Sequence, residues 1–307
     1  MIRTKIVFLV LPRVHLLDLS GAIQVFLEAK DLGAPIELEY CSIGDEIISS
    51  ADLPMGKLKH FRQMELGPDD FLFVPGSEVD FLVSKKMTSQ RELILWVQHI
   101  HEIGAYVCSI CSGAFFLALT GILNGRKCTT HWKRTAELQR RFPSIHVLED
   151  ILFTEDQKIF TSAGVTAGVD LALHILTKLT NEKLSYQVAR ELVVYLRRSG
   201  AGSQQSIFMQ YRNHIHSGIH KAQDYVHENI RRRVTLEQLA DKACMSPRNL
   251  TRIFKRETGI TVNEYTNLIR KEMLREFMKN PEMNRKQMAK ECGLSSERHV
   301  IRLLNSF

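Results

Sequence analysis

The 307-residue chain has no run of eighteen apolar residues, and no long apolar segment precedes a small-residue cleavage site near its N-terminus. A membrane-spanning helix and a secretory leader are therefore not expected, and the protein is expected to be cytoplasmic. Cysteine is sparse. The six residues, at 41, 108, 111, 128, 244 and 292, are scattered over strand-like and helical stretches. That scatter suits free thiols in a reducing compartment better than a disulfide framework. Cys108 and Cys111 have CxxC spacing, but no second such pair exists to complete a zinc site. Acidic charge is short in one region only. Residues 201–307 hold 19 Lys and Arg against 11 Asp and Glu, a net +8, which leaves 1–200 at −1. So lopsided a balance is the electrostatic footprint of phosphate binding.

The basic third contains a helical pattern that occurs twice. Residues 236–243 (LEQLADKA) read as a short amphipathic helix, Cys244 and Met245 as a turn, and a second helix opens at Ser246-Pro247. Ser246 is a good N-cap, and Pro247 falls at the first helical position, where its missing N–H costs nothing. The plan recurs at 285–292 (RKQMAKEC), with a turn at Gly293-Leu294 and a new helix from Ser295. A long helix at 262–278 joins the two, after Gly259 as a left-handed stop and Thr261 as a cap. Helices of this kind enter the major groove near their N-termini. The expected base contacts are Arg248, Asn249 and Arg252 in the first unit and Arg298, His299 and Arg302 in the second, with Lys255 and Arg256 on phosphates.

Residues 1–200 alternate apolar strands and helices. Strands are expected at 5–11, 36–43, 70–74, 105–110, 127–130, 146–148 and 158–162, and helices at 19–30, 93–103, 132–141 and 167–179. Alternation of this kind predicts a mostly parallel sheet covered by helices on both faces, with a ligand site at the carboxyl ends of the strands. Cys111 lies at such an end, in Cys111-Ser112-Gly113, the strand–turn–helix layout of a nucleophile elbow. Its place beside a helix N-terminus is expected to favour thiolate and to make it titrate below the other five cysteines. His131 and Asp18 are expected at the same crevice.

These motifs carry two resemblances. Residues 2–195 resemble the ThiJ/PfpI superfamily, with its glutamine-amidotransferase-like fold, in LLDLSGAIQVF at 16–26, Pro75-Gly76, SICSGAFFLALTGILNGRKCTTHW at 109–132 and TSAGVTAGVDLALHIL at 161–176. Residues 236–307 resemble the DNA-binding domain of the AraC/XylS regulators in LADKACMSPRNLTRIFKRETG, EYTNLIRKEMLRE and CGLSSERHVIR. Val300 and Leu304 stand where that family usually has Phe, and the usual Phe-Gly and trailing Pro-Tyr segment is missing, so the second unit is expected to be looser. Together the two halves are similar to GlxA-type regulators. The resemblance implies a flavodoxin-like α/β sandwich followed by an all-α domain with two helix-turn-helix units. It also implies a ligand pocket of Asp18, Gly76, Cys111, Ser112, Gly113 and His131, with Cys111 as the elbow cysteine. Ser112 stands where the peptidase-like branch has His, so a triad of that kind is not assembled.

The expected domains are 1–196 for ligand sensing and dimerisation, 197–217 as a flexible, exposed linker rich in Gly, Ser and Gln, and 218–307 for DNA binding. Residues 207–230 read as one helix carrying His214, His216, His220 and His227; His216 and His220 have the i, i+4 spacing that can bind a metal, but a solvated helix face is the expected reading. Neither metal nor cofactor is expected. The expected partners are promoter DNA, a small-molecule effector, a second copy of the chain, and RNA polymerase should the effect be activation. Two rivals stay open: a cysteine-dependent hydrolase or hydratase, and a redox sensor acting through Cys111.

Overall fold

The computed structural model describes residues 3–194, 198, 200, 202, 204, 207–278 and 283–305. The chain separates into two compact units, Met1–Gln204 and Gln205–Phe307, divided inside the segment read as a linker. Arg197, Ser199, Ala201, Ser203, Gln205 and Ser206 of that segment lie outside the described residues.

The first unit is built on a seven-stranded sheet. Across it run Phe153–Asp156, Ile159–Ser162, Tyr106–Ile110, Phe71–Val74, Thr4–Leu9, Ile36–Ser42 and Lys59–His60. All neighbours are parallel except the first pair. Period-two alternation sends each strand's apolar residues to both faces. Ile6 and Phe8 meet the helices Leu16–Asp31 and Thr166–Leu179 on one side, while Val7 and Leu9 share the opposite core with Arg91–Glu102 and Gly113–Leu119. Burying side chains such as Phe8, Phe73 and Phe115 contributes roughly 2–3 kcal/mol each.

Several details depart from the sequence reading. The strands Lys127–Cys128 and His146–Val147 form a separate two-stranded sheet and do not join the main one. Neither edge strand of the main sheet, the antiparallel Phe153–Asp156 nor the parallel Lys59–His60, was expected. The first helix begins at Leu16, so Asp18 sits in its first turn and not in the preceding loop.

In the second unit, Ser217–Glu228, Leu236–Lys242, Pro247–Thr258 and the front of Val262–Phe277 close around Leu250, Phe254 and Tyr265. The rear of that joining helix packs with Arg285–Glu291 and Glu297–Asn305 around Leu274, Met288 and Val300. The two helix-turn-helix units thus have separate cores braced by one helix. The single helix read at 207–230 is broken instead: Ile207–Gln210 and Ser217–Glu228 are distinct, and His216 is the N-cap of the second. No helix among the described residues is long and apolar enough to cross a membrane.

Candidate ligand cavity and nucleic-acid interface

Strand Tyr106–Ile110 delivers Cys111 into a turn at φ +55°, a left-handed conformation that L-residues with a side chain rarely adopt. Holding it there costs about 1–3 kcal/mol and needs support from all sides. The Cys111 N–H donates to the Ser162 carbonyl at 2.9 Å, and the Thr130 hydroxyl donates to the Cys111 carbonyl at 2.7 Å. Two glycines leave room for the turn. A Cβ on Gly164 would collide with Cys111, lying 2.9 Å from Sγ, and one on Gly76 would collide with the Asp18 carboxylate and stand 3.0 Å from the Cys111 Cβ.

Around the elbow lies a cavity of about 460 Å³ whose walls include His15, Asp18, Glu78, Asp80, Cys111, Ser112, His131, Lys133 and Val165. Asp18, Cys111, Ser112 and His131 lie together in this wall, with Gly76 packed directly behind them. Gly113 supplies tight packing, since a Cβ there would meet the Val74 carbonyl. The Ser112 hydroxyl donates to the Ser77 carbonyl at 2.5 Å and accepts its N–H at 3.0 Å, which ties the elbow to the loop after Pro75-Gly76.

Asp18 is 2% exposed, and its Oδ1 accepts the Val165 N–H at 2.7 Å. Its Oδ2 meets Nδ1 of His15 at 3.1 Å. His15 was missed by the sequence reading, although its position three residues ahead of Asp18 at a helix start was the available signal. One donor atom each from His15, Asp18 and Cys111 lie within 4.8 Å of one another, a spacing that could hold a cation. His131 reaches the cavity from a segment outside the main sheet, with its Nδ1 accepting the Lys133 N–H at 3.4 Å. Desolvation, then Lys133, lower its pKa and so favour the neutral ring.

The surroundings of the thiol run against the expectation of a thiolate. Burial, and next the negative charge of Asp18, push the Cys111 thiol well above the ordinary range, outweighing the Ser112 hydrogen bonds that pull it down. The elbow helix spans only Gly113–Leu119, with most of its residues buried, so desolvation of the thiolate exceeds what its N-terminus returns. A protonated thiol is a poor nucleophile and a poor target for oxidation.

In the second unit Ser246 caps its helix by accepting the Asn249 N–H at 3.3 Å, and Gly259 ends it at φ +80°. Leu250, Ile253 and Phe254 face inward, leaving Arg248, Arg252, Lys255 and Arg256 exposed. Arg252 donates to the Asn249 side chain at 2.8 Å, holding two polar heads together on the exposed face. Arg256 differs from the others because it pairs with Glu257 at 2.6 Å. The second unit repeats the plan, with the Ser296 hydroxyl capping His299 N–H at 3.3 Å, Val300 and Leu303 buried, and Arg298 and Arg302 exposed.

Residues 4–178 match the DJ-1/PfpI family. The chain belongs to the DJ-1/PfpI family. Behind its DJ-1/PfpI domain, residues 226–267 match the AraC family of bacterial regulatory helix-turn-helix proteins. The HTH-type transcriptional regulator GbdR of Pseudomonas aeruginosa is 27% identical over 220 residues, 71% of this chain and 59% of that protein. The chain thus spans about three-fifths of that relative's length. The HTH-type transcriptional regulator GlxA of Rhizobium meliloti is 24% identical over 261 residues, 83% of this chain and 77% of that protein. Among solved structures, a ThiJ/PfpI family protein from Pseudomonas syringae superposes with a TM-score of 0.55 at 22% identity, covering 78% of this chain and 89% of that one. At that identity the likeness shows the fold.

Proposed function

We propose that this DJ-1/PfpI family member is a DNA-binding transcription regulator, and that its α/β unit binds a small, nitrogen-containing metabolite in the cavity at Cys111. The observation that carries the reading is the pair of capped helices that each present arginines on the face opposite a buried apolar stripe. The net +8 of 201–307 supplies the long-range attraction to phosphate. In this reading Arg248, Asn249, Arg252, Arg298, His299 and Arg302 read base edges, and Lys255 and Arg256 position the protein on the backbone. The chain acts as a homodimer on promoter DNA, and it contacts RNA polymerase where it activates. The raised Cys111 thiol disfavours the rival readings that need a thiolate, whether hydrolytic or redox.

The test is a titration of the purified chain against a duplex from upstream of its own gene and against an unrelated duplex, at two salt concentrations. Specific binding that weakens steeply with salt is the expected result. Equal affinity for both duplexes, or no binding at low salt, sinks the proposal.

A further inference from the structure

Arg198, Gly200 and Gln204, on the way out of the α/β unit, are each held by it. Arg198 docks on the first turn of helix Thr166–Leu179: its backbone N–H and Nε reach the Asp170 carboxylate at 3.1 and 2.9 Å, and its Nη2 donates to the Thr166 hydroxyl at 2.7 Å. Asp170 is 5% exposed, so the guanidinium answers a buried charge. The Gly200 carbonyl accepts the N–H groups of Leu152 and Phe153 at 2.8 and 3.2 Å. Gln204 donates its side-chain amide to the Thr130 carbonyl at 3.0 Å and its backbone N–H to Asp150 at 3.0 Å.

Both outer anchors rest one residue from the cavity wall. Thr166, under Arg198, follows Val165, whose N–H is held by Asp18. Thr130, under Gln204, precedes His131, and its hydroxyl holds the Cys111 carbonyl. A molecule that engages Asp18 or His131 thus binds next to the residues that seat Arg198 and Gln204.

We propose that Arg198, Gly200 and Gln204 act as a strap that reads the occupancy of the cavity: its two outer anchors rest beside the cavity wall, so ligand binding and strap docking are coupled. The proposal rests on reading the cavity as an effector site. Because the chain continues from the strap into the helix-turn-helix unit, releasing or seating it changes the freedom of that unit. Coupling of this kind is reciprocal, so disturbing the strap must also be felt at the cavity.

The test is residue-resolved amide hydrogen exchange on the full chain, comparing the wild type with Asp18→Asn and Arg198→Ala. In Asp18→Asn the amides of Leu152, Phe153 and Gln204 should exchange at least tenfold faster. In Arg198→Ala the Val165 amide should do the same, while Thr4–Leu9 and Tyr106–Ile110 keep their protection as the check on the fold. A change confined to Val165 in the first variant and to the strap in the second overturns the coupling. Should Asp18→Asn fail to fold, the Val165 amide in Arg198→Ala decides alone. Parallel titration of the same proteins with upstream duplex DNA keeps the two ideas apart: loss of DNA binding in all of them removes the regulator reading, whereas intact DNA binding with uncoupled exchange removes only the strap.

Discussion

Gly164 faces the side chain of Cys111 so closely that a methyl group on it would stand 2.9 Å from the sulfur and collide with the Cβ. Gly164 also holds φ +90°, which a side chain would strain. Clash and strain add, so Gly164→Ala should cost at least about 3 kcal/mol of stability in the α/β unit. Urea unfolding of the two proteins checks this. A loss below about 1 kcal/mol would mean that the elbow yields easily and is not the rigid feature described.

The thiol of Cys111 should be slow to react. Burial and Asp18 both raise its pKa, so the thiolate that alkylating reagents need is scarce at neutral pH. Cys244, the exposed cysteine, should label first. Asp18→Asn removes a negative charge that opposes ionisation, so labelling of Cys111 should begin at lower pH in that variant. The measurement is site-resolved alkylation from pH 6 to 10. Labelling of Cys111 ahead of Cys244 at pH 7 would refute the account of its environment.

Much of this was readable in the residues, for identifiable reasons. Strands such as Thr4–Leu9 are apolar on both faces because both faces are covered, and Ser246-Pro247 and Gly259 mark helix ends by local chemistry that needs no tertiary context. Lys127–Cys128 looked like a main-sheet strand because two residues carry no information about which partner they pair with. The turn at 211–216 contains neither Gly nor Pro, so the break ahead of Ser217–Glu228 left no punctuation. The sign of the Cys111 shift was missed because motif and spacing place the residue at a helix N-terminus, whereas depth of burial and the reach of Asp18 are properties of the whole fold. Arg198 looked like part of a soluble tether because its partner, Asp170, lies 28 residues away on a helix.

The arginines of the first recognition helix should not contribute equally to DNA binding. Arg248→Ala and Arg252→Ala should each weaken specific affinity by about 1–3 kcal/mol, the usual worth of a bidentate base contact. Arg256 is bound to Glu257, so a phosphate must compete for it, and Arg256→Ala should cost less than either. Fluorescence titrations with the upstream duplex rank the three. An Arg256→Ala loss larger than both others would relocate the contact surface to the far end of the helix.

The helix-turn-helix unit gains stability from residues ahead of position 218. Ile207 and Tyr211 pack against its first core, with the Tyr211 ring edge-on to Tyr265 at 6.0 Å. The buried Gln223 donates its side-chain amide to the Tyr211 carbonyl at 2.7 Å, and Arg212 pairs with Asp224 at 2.9 Å. Cutting the chain at 218 removes the tyrosine, strands the Gln223 amide and leaves Asp224 without that partner. Loss of a packed aromatic alone costs about 2 kcal/mol or more, and an unsatisfied buried amide adds about 1–3 kcal/mol. A fragment of residues 207–307 should therefore unfold at clearly higher temperature than one of 218–307, by more than about 5 °C for a domain of this size. DNA affinity measured well below both transitions should be similar, because the arginines lie in both fragments. Equal melting temperatures would show that the segment before 218 contributes nothing to the unit.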